Sequence, residues 1–227
     1  NIVIIKVNND VYVIGGWGDG YLKSVHRINV DDETPSWETI QDMNKERYGC
    51  AAALHGNTIF VFGGRGPYGS KHLSIEYFNT TTNEGWMRVE NGMKTERNAH
   101  SAITVGNDIY IIGGADNNYE PLDSVEIFDT LSKSITDGPK LPIPMFGMSA
   151  VVVLEKYIIV SGGRTTDNRK IGTSYILNTG EEKQEWKPLD ILLNTPRYEH
   201  TAVVLNNNEI CICGGYDSDH KCLNTIE

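Results

Sequence analysis

The dipeptide Gly-Gly recurs five times along this chain of 227 residues, at intervals of 48 to 52 residues. The copies are Gly15-Gly16, Gly63-Gly64, Gly113-Gly114, Gly162-Gly163 and Gly214-Gly215. Each copy ends a short run rich in β-branched and aromatic residues. A regular period near 50 residues is typical of a fold in which one supersecondary unit repeats. The period therefore predicts a repeat fold, in which function lies where the repeats differ.

Charge and cysteine content narrow the class of protein. A net charge of −10 argues against nucleic acid as a partner, since phosphate binding needs clustered basic residues. No apolar run approaches the roughly 18–20 residues that span a bilayer, so we expect no membrane insertion. The four cysteines (Cys50, Cys211, Cys213 and Cys222) lack CxxC spacing. They predict reduced thiols in a cytoplasmic protein, with a disulfide through Cys222 as the alternative.

Alignment of the glycine pairs divides each unit into four segments. The first is a strand that opens with arginine at Arg47, Arg97 and Arg197, whereas the fourth unit has Met145 in that place. A tight turn follows, at His55-Gly56-Asn57, Gly106-Asn107-Asp108 and Asn206-Asn207-Asn208. The second strand runs into the glycines and is apolar on both faces, as expected between two neighbouring sheets.

The rest of each unit predicts two more strands. The third strand is represented by Ser74–Asn79 and Ser124–Asp129, and the fourth begins at Trp37, Trp86 or Trp186. The third unit has no such tryptophan, so its outer edge is expected to pack less well. Four strands per unit, with no room for a helix, are typical of a β-propeller blade.

This arrangement of arginine, Gly-Gly and tryptophan resembles the kelch repeat, over essentially the whole chain. The resemblance implies an all-β, kelch-type β-propeller with four-stranded blades. We expect one domain over residues 1–227, with units at about 1–46, 47–96, 97–144, 145–196 and 197–227. The fold alone implies no single function, because kelch propellers include scaffolds, ubiquitin ligase receptors and a few enzymes.

The two ends are out of step with the repeat. In the alignment the chain starts beyond the arginine position of the first unit and stops within the third strand of the fifth. We therefore expect a fragment of a longer protein, with at least five blades and the last one incomplete. The missing strand would come from sequence outside this chain, and a ring of five blades and a ring of six both remain open.

Arg47, Arg97 and Arg197 occupy equivalent positions, so a ring would place them at one depth around one face. In kelch substrate receptors the matching arginines line the central pocket, and the resemblance implies the same partner-binding role here. Guanidinium suits acidic peptides because it pairs bidentately with carboxylates. The alternative is that each arginine binds backbone carbonyls or a carboxylate of its own framework.

The loops after Gly-Gly differ between units while the framework repeats. Loops of this kind, rich in Tyr, Trp and Arg on a rigid scaffold, are where protein recognition concentrates. The predicted partner-binding residues in these loops are Trp17, Arg65, Tyr68, Tyr119, Arg164, Arg169 and Tyr216. The alternative is that they are ordinary solvated loops.

The sequence gives little support for catalysis. The six histidines do not fall into HxH or HExxH spacing, and no Cys-His set has metal-ligand spacing. His100 and His200 share a repeat position but belong to units two apart, which argues against shared metal ligation. Gly-Gly ends a strand and opens no helix, so no phosphate-binding loop is indicated. We expect no enzyme, no cofactor and no metal.

The sequence therefore predicts a non-catalytic module that binds a protein or peptide through the loop rim and central pocket. The arginines favour an acidic partner. The module would act as a scaffold or as a subunit of a larger assembly. The alternative is a substrate-recognition domain of a cullin-type ubiquitin ligase adaptor, and the third possibility is a sugar-acting kelch enzyme.

Overall fold

The computed structural model describes residues 2–82, 84–206 and 209–227. Within these ranges the chain forms eighteen β-strands and a 3₁₀ turn at Pro67–Gly69. The predicted all-β fold is confirmed. In the described part of the chain no helix is long and apolar enough to cross a membrane.

Sixteen strands form four antiparallel sheets of four strands each. Sheet 1 contains β1 (Val3–Val7), β2 (Asp10–Trp17), β3 (Tyr21–Asn29) and β4 (Glu38–Ile40). Sheet 2 contains β5 (Ala51–His55), β6 (Thr58–Phe62), β7 (Ile75–Asn79) and β8 (Met87–Val89). Sheet 3 contains β9 (Ser101–Val105), β10 (Asp108–Ile112), β11 (Val125–Asp129) and β12 (Ile135–Asp137). Sheet 4 contains β13 (Ser149–Val153), β14 (Tyr157–Ser161), β15 (Thr173–Asn178) and β16 (Lys187–Leu192).

Sheet 5 pairs β17 (Thr201–Asn206) with β18 (Glu209–Cys213), and Ile226 forms an isolated antiparallel bridge with Cys213. The turn predicted at Asn206-Asn207-Asn208 involves residues 207 and 208, which lie outside the described residues. Each sheet matches one unit of the sequence repeat.

The first strands of successive sheets lie side by side: β1 next to β5, β5 next to β9, β9 next to β13, and β13 next to β17. The core fills the spaces between the sheets. Between sheets 1 and 2, Ile14 of β2 packs with Ile59 and Val61 of β6. In sheets 2 and 3, which have a neighbouring sheet on both sides, the residues of the second strands β6 and β10 are buried on both faces, as the apolar runs predicted.

Two of the three predicted tryptophans close the outer part of these interfaces. Trp86 stacks on Phe78 with ring centroids 5.4 Å apart, and Trp186 is buried between sheets 3 and 4. Trp37, by contrast, is exposed. In sheet 3, which lacks a tryptophan, Ile135 of β12 packs against the apolar core between sheets 2 and 3.

The Gly-Gly pairs join one sheet to the next. The second glycine donates its N–H to the carbonyl of the residue at the arginine position of the following unit, as from Gly64 to Arg97 at 2.9 Å. A Cβ on the preceding Gly63 would lie 2.6 Å from that same carbonyl oxygen. Gly63 also has φ +58°, a left-handed conformation that favours glycine. The pairs therefore recur because the contact between sheets leaves no room for a side chain.

The three predicted arginines are framework residues. Arg47, Arg97 and Arg197 are 0% exposed. The guanidinium of Arg47 donates to the carbonyl of Gly63 (2.6 Å) and to the carboxylate of Glu76 (3.0 Å). Arg97 donates in the same way to the carbonyl of Gly113 and the carboxylate of Glu126. Arg197 donates to the carbonyl of Gly214 and the carboxylate of Glu227.

The prediction that Arg47, Arg97 and Arg197 line a partner-binding surface is therefore wrong. Their donors are directed at carbonyls and carboxylates of their own units, and a partner has no access to a fully buried guanidinium. The predicted start of the first strands is also wrong. These strands begin at Ala51, Ser101 and Thr201, four residues after each arginine. Positive φ angles at Gly49, Ala99 and Glu199 separate each arginine from its strand.

Candidate functional site: a cavity between the loops

The loops after four of the glycine pairs share one backbone conformation. In sheet 3 the N–H of Asp116 donates to the carbonyl of Glu120, and the corresponding bond recurs in sheets 2, 4 and 5. The residue before the bonded carbonyl has a left-handed φ in every one of these loops: Gly69, Tyr119, Asn168 and His220. In sheet 2 the preceding residue, Tyr68, has a left-handed φ as well. The loops therefore present different side chains on the same support, as the sequence predicted.

The residue directly after each of these glycine pairs is also fixed in place. Isolated β-bridges pair it with the residue that follows the arginine position: Tyr48 with Arg65, Asn98 with Ala115, Phe146 with Arg164, and Tyr198 with Tyr216. These four pairs belong to four different units.

Residues from the first three of these pairs line a cavity of about 350 Å³, called here the mouth cavity. Three of the predicted residues line it: Arg65, Tyr119 and Arg164. The other side chains of its wall are Tyr48, Asn98, Ala99, Glu120, Pro121, Phe146, Thr165, Thr166 and Glu199, with Gly49 between them.

Arg65 is held against an aromatic ring. Its guanidinium carbon lies 4.4 Å from the ring centroid of Tyr119, and its Nη2 donates to the Tyr119 hydroxyl. The ammonium of Lys71 lies 5.1 Å from the same ring and donates to the carbonyl of Asp116. Burial, followed by the nearby charge of Arg65, lowers the pKa of Lys71. These contacts tie the loop of sheet 2 to the loop of sheet 3.

Arg164 has a similar aromatic support in sheet 4. Its guanidinium carbon lies 5.4 Å from the ring of Phe146 and 5.9 Å from the ring of Tyr198. Cation–π contacts of this kind orient a guanidinium and leave its edge free to bind an anion. Among the described residues, the Nε atoms of Arg65 and Arg164 are buried without a hydrogen-bond partner.

Arg65 and Arg164 differ from the other arginines in one respect. Six arginines have a carboxylate within 4 Å: Arg27, Arg47, Arg88, Arg97, Arg169 and Arg197. Arg65 and Arg164 have none within the described ranges, although the chain carries 30 acidic residues. The two arginines that lack an internal counter-ion thus line one cavity.

The structure separates the remaining predicted residues from this cavity. Arg169 is exposed and pairs with Asp167, and Tyr68 points fully into solvent. Trp17 does not line the cavity, but its ring packs edge-on against the wall residue Tyr48, with ring centroids 6.1 Å apart. Tyr216 packs on Tyr198 at 5.6 Å.

Sequence reasoning missed the wall residues that follow the arginine position. Tyr48, Asn98 and Phe146 all belong to this set, and they differ from unit to unit as the loop residues do. Their variation is visible in the alignment, but the sequence interpretation assigned the binding role to the neighbouring arginines instead.

A second cavity of about 330 Å³, the shaft cavity, continues from the first. Residues at one repeat position of all five units line it: Ile2, Cys50, His100, Met148 and His200. Both cavities share Gly49, Ala99 and Glu199.

The two histidines of the shaft cavity are neutral. Burial, and next the charge of Arg197, lowers the pKa of His200 to about 4. Burial and the charges of Arg97 and Arg47 hold the pKa of His100 well below its usual value. Across the described residues, no group of three or more His, Cys, Asp or Glu side chains is arranged to hold a metal ion, and the four cysteines are free thiols.

Comparison with known proteins identifies the family. The family model of the KLHDC2/KLHL20/DRC7 Kelch-repeats domain matches residues 1–192. The chain belongs to the kelch-repeat family. Kelch-repeat domains typically bind proteins and are generally non-catalytic.

Several curated relatives share this repeat. Human kelch domain-containing protein 1 is 26% identical over 96% of this chain and 62% of its own length. Alpha-scruin of Limulus polyphemus is 27% identical over 92% of the chain and 23% of its own length. Kelch repeat protein C2 of vaccinia virus (strain Western Reserve) is 28% identical over 92% of the chain and 38% of its own length. The chain thus spans between about a quarter and three fifths of these relatives.

Proposed function

We propose that this kelch domain is a non-catalytic module that binds a protein partner by accepting an acidic side chain in the mouth cavity. The observation that carries the proposal is the pair Arg65 and Arg164, which line the same cavity and have no carboxylate of the described residues within 4 Å. A guanidinium that is partly removed from water favours an anion, and carboxylate matches its planar fork.

The walls of the cavity support a peptide ligand. Tyr48, Tyr119 and Phe146 provide aromatic surface around the two cations, a combination that recurs at the energetic centres of protein interfaces. The contacts of Arg65 and Arg164 with these rings fix the site before a partner arrives, which lowers the entropy cost of binding. The same site would serve a scaffold or a substrate-recognition subunit of a ubiquitin ligase, since both require only stable recognition.

The test uses three labelled peptide libraries with randomised neighbours around one fixed residue, which is Glu, Lys or Ser. We expect the domain to retain the Glu library preferentially. The double variant Arg65→Ala/Arg164→Ala should lose at least tenfold in retention, consistent with the loss of charged hydrogen bonds worth about 1.5–3 kcal/mol each. Retention should also fall as salt rises, because ions screen exposed charges.

Arg27→Ala/Arg88→Ala is the matched control, because it removes the same charge from arginines that pair with Glu38 and Glu90 outside the cavity. Thermal unfolding of both variants checks that the fold is intact. Equal retention of the Glu, Lys and Ser libraries by the wild type, or unchanged retention in the Arg65→Ala/Arg164→Ala variant, would contradict the proposal.

A further inference from the structure

Glu199 occupies an unusual place at the junction of the two cavities. It is the fifth-unit member of a repeat position that holds Gly49, Ala99 and Gly147 in sheets 2, 3 and 4. Backbone hydrogen bonds link these residues in series: Ala99 to Gly49 at 2.8 Å, Gly147 to Ala99 at 2.8 Å, and Glu199 to Gly147 at 2.7 Å. The position therefore forms an inner row that passes from unit to unit.

The backbone of this row disfavours a long side chain. All four residues have left-handed φ, from 50° to 67°. For an L-residue with a side chain this conformation is sterically unfavourable, and the other units hold glycine or alanine here. Glutamate at such a position is a strained residue that the fold itself does not require, and strain of this kind points to a functional role.

The carboxylate of Glu199 has no counter-ion of its own. It makes no hydrogen bond or ion pair with a side chain of the described residues, although it is half-buried and lines both cavities. After the effect of burial, its charge raises the pKa of Tyr48 and of Tyr198 at the mouth. A half-buried carboxylate without a partner is costly, and a cation from outside would offset that cost.

The mouth cavity and the shaft cavity differ in the charged residues that line them. Arg65 and Arg164 line the mouth cavity only, whereas Glu199 lines both the mouth cavity and the shaft cavity. With His100 and His200 neutral, Glu199 is the one formally charged residue among those described around the shaft cavity. Ile2 and Met148 supply apolar wall beside it, which suits the methylene stem of a lysine.

We propose that the partner carries a lysine close to its acidic residue, and that the lysine enters the shaft cavity to pair with Glu199 while the acidic residue binds Arg65 and Arg164. This inference rests on the proposed function and specifies its ligand as a dipolar peptide. Glu199 is then the specificity-determining residue, since it selects among acidic partners those with a basic neighbour.

The experiment fixes two positions in each library. One position is Glu, and the other, separated from it by one, two or three residues, is either Lys or norleucine, its uncharged isostere. The wild-type domain should prefer the Lys library at one of these spacings by about tenfold, the effect of one charged hydrogen bond. Glu199→Gln should abolish that preference and retain the norleucine library as the wild type does.

A second variant separates specificity from folding. Glu199→Gly matches Gly49 and Gly147, and we expect it to raise the midpoint of urea unfolding because it relieves the left-handed strain. It should lose the lysine preference even though it is more stable. A preference for lysine that survives both substitutions, or a wild-type preference for norleucine, would overturn this inference and leave the acidic site standing. Failure of the wild type to retain either library through Arg65 and Arg164 would instead overturn the proposed function and this inference with it.

Discussion

At the scale of single residues, Tyr68 and Tyr119 show that one residue type serves different purposes in neighbouring loops. Both have a left-handed φ, 58° for Tyr68 and 64° for Tyr119, in the loops after Gly-Gly of sheets 2 and 3, although the residue of sheet 2 equivalent to Tyr119 is Gly69. Tyr68 extends into solvent, whereas Tyr119 lies under the guanidinium of Arg65 and forms part of the cavity wall. Their contacts, not their residue type, distinguish the two tyrosines.

Tyr119→Ala is therefore expected to weaken retention of the Glu library about threefold to tenfold, because it removes a cation–π contact worth about 0.5–2 kcal/mol and part of the wall. Tyr68→Ala is the matched control, with the same residue change at a similar left-handed φ in the neighbouring loop, and should leave retention unchanged. Fluorescence polarisation with the labelled library measures both. Equal loss in the two variants would show that the loops contribute through a general effect of tyrosine and not through the cavity.

The sequence could identify Arg65, Tyr119 and Arg164 as candidates because they vary where the framework repeats. The partner-binding role predicted for Arg47, Arg97 and Arg197 was wrong because these residues recur with the framework. A residue that returns with every unit is usually needed by every unit, and here each one satisfies the glycine carbonyl and the glutamate of its own sheet. Glu199 escaped notice because a single sequence does not reveal that its φ is left-handed.

At the scale of the sheet, sheet 4 replaces the buried arginine network as a whole. Met145 stands at the arginine position, Tyr175 at the position of Glu76, and Pro142 at the position of Asn44. In sheet 2 the carboxylate of Glu76 accepts the N–H of Asn44 at 2.6 Å, a bond that proline cannot donate. Charge, counter-charge and N–H donor are thus absent together, and Met145 is buried in an apolar cluster.

We therefore expect strong coupling between the members of the network. Arg47→Met alone should lower the free energy of unfolding by about 3–5 kcal/mol, because it leaves the carboxylate of Glu76 buried and unpaired. Arg47→Met/Glu76→Tyr, which copies sheet 4, should cost less than the sum of its two single changes by about 1–3 kcal/mol. Urea unfolding of the four proteins closes the cycle. Costs that simply add would show that the network does not act as a unit.

Most of the sheet architecture could be predicted from the alignment. The second and third strands fall where the apolar runs predicted them, because their burial on both faces leaves a strong signal. The first strands begin later than predicted, because residues such as Gly49 and Ala99 turn the chain after the arginine. That turn depends on a bond to the next unit, such as Ala99 to Gly49, which one unit read alone does not contain.

At the scale of the whole molecule, neighbouring sheets are joined at their first strands, and the two buried histidines lie at these junctions. The ring of His100 lies over Gly63 of sheet 2, and that of His200 lies over Gly162 of sheet 4. Met148 takes the equivalent place over Gly113. The junctions on either side of sheet 3 therefore differ in chemistry, since one contains a titratable ring and the other a thioether.

This difference predicts how the stability of the molecule depends on pH. The unfolded chain binds protons at its histidines near pH 6.5, whereas folded His200 binds one only near pH 4 and folded His100 at a pH well below its usual value. The free energy of unfolding should therefore fall as pH drops from about 6.5 towards 4, by up to about 1.4 kcal/mol per pH unit for each histidine. His100→Met/His200→Met, which copies Met148, should flatten the profile between about pH 6.5 and 5, above the range in which carboxylates take up most of their protons. Urea unfolding at half-unit pH steps measures both proteins, and an unchanged slope in the double variant would show that other groups cause the acid sensitivity.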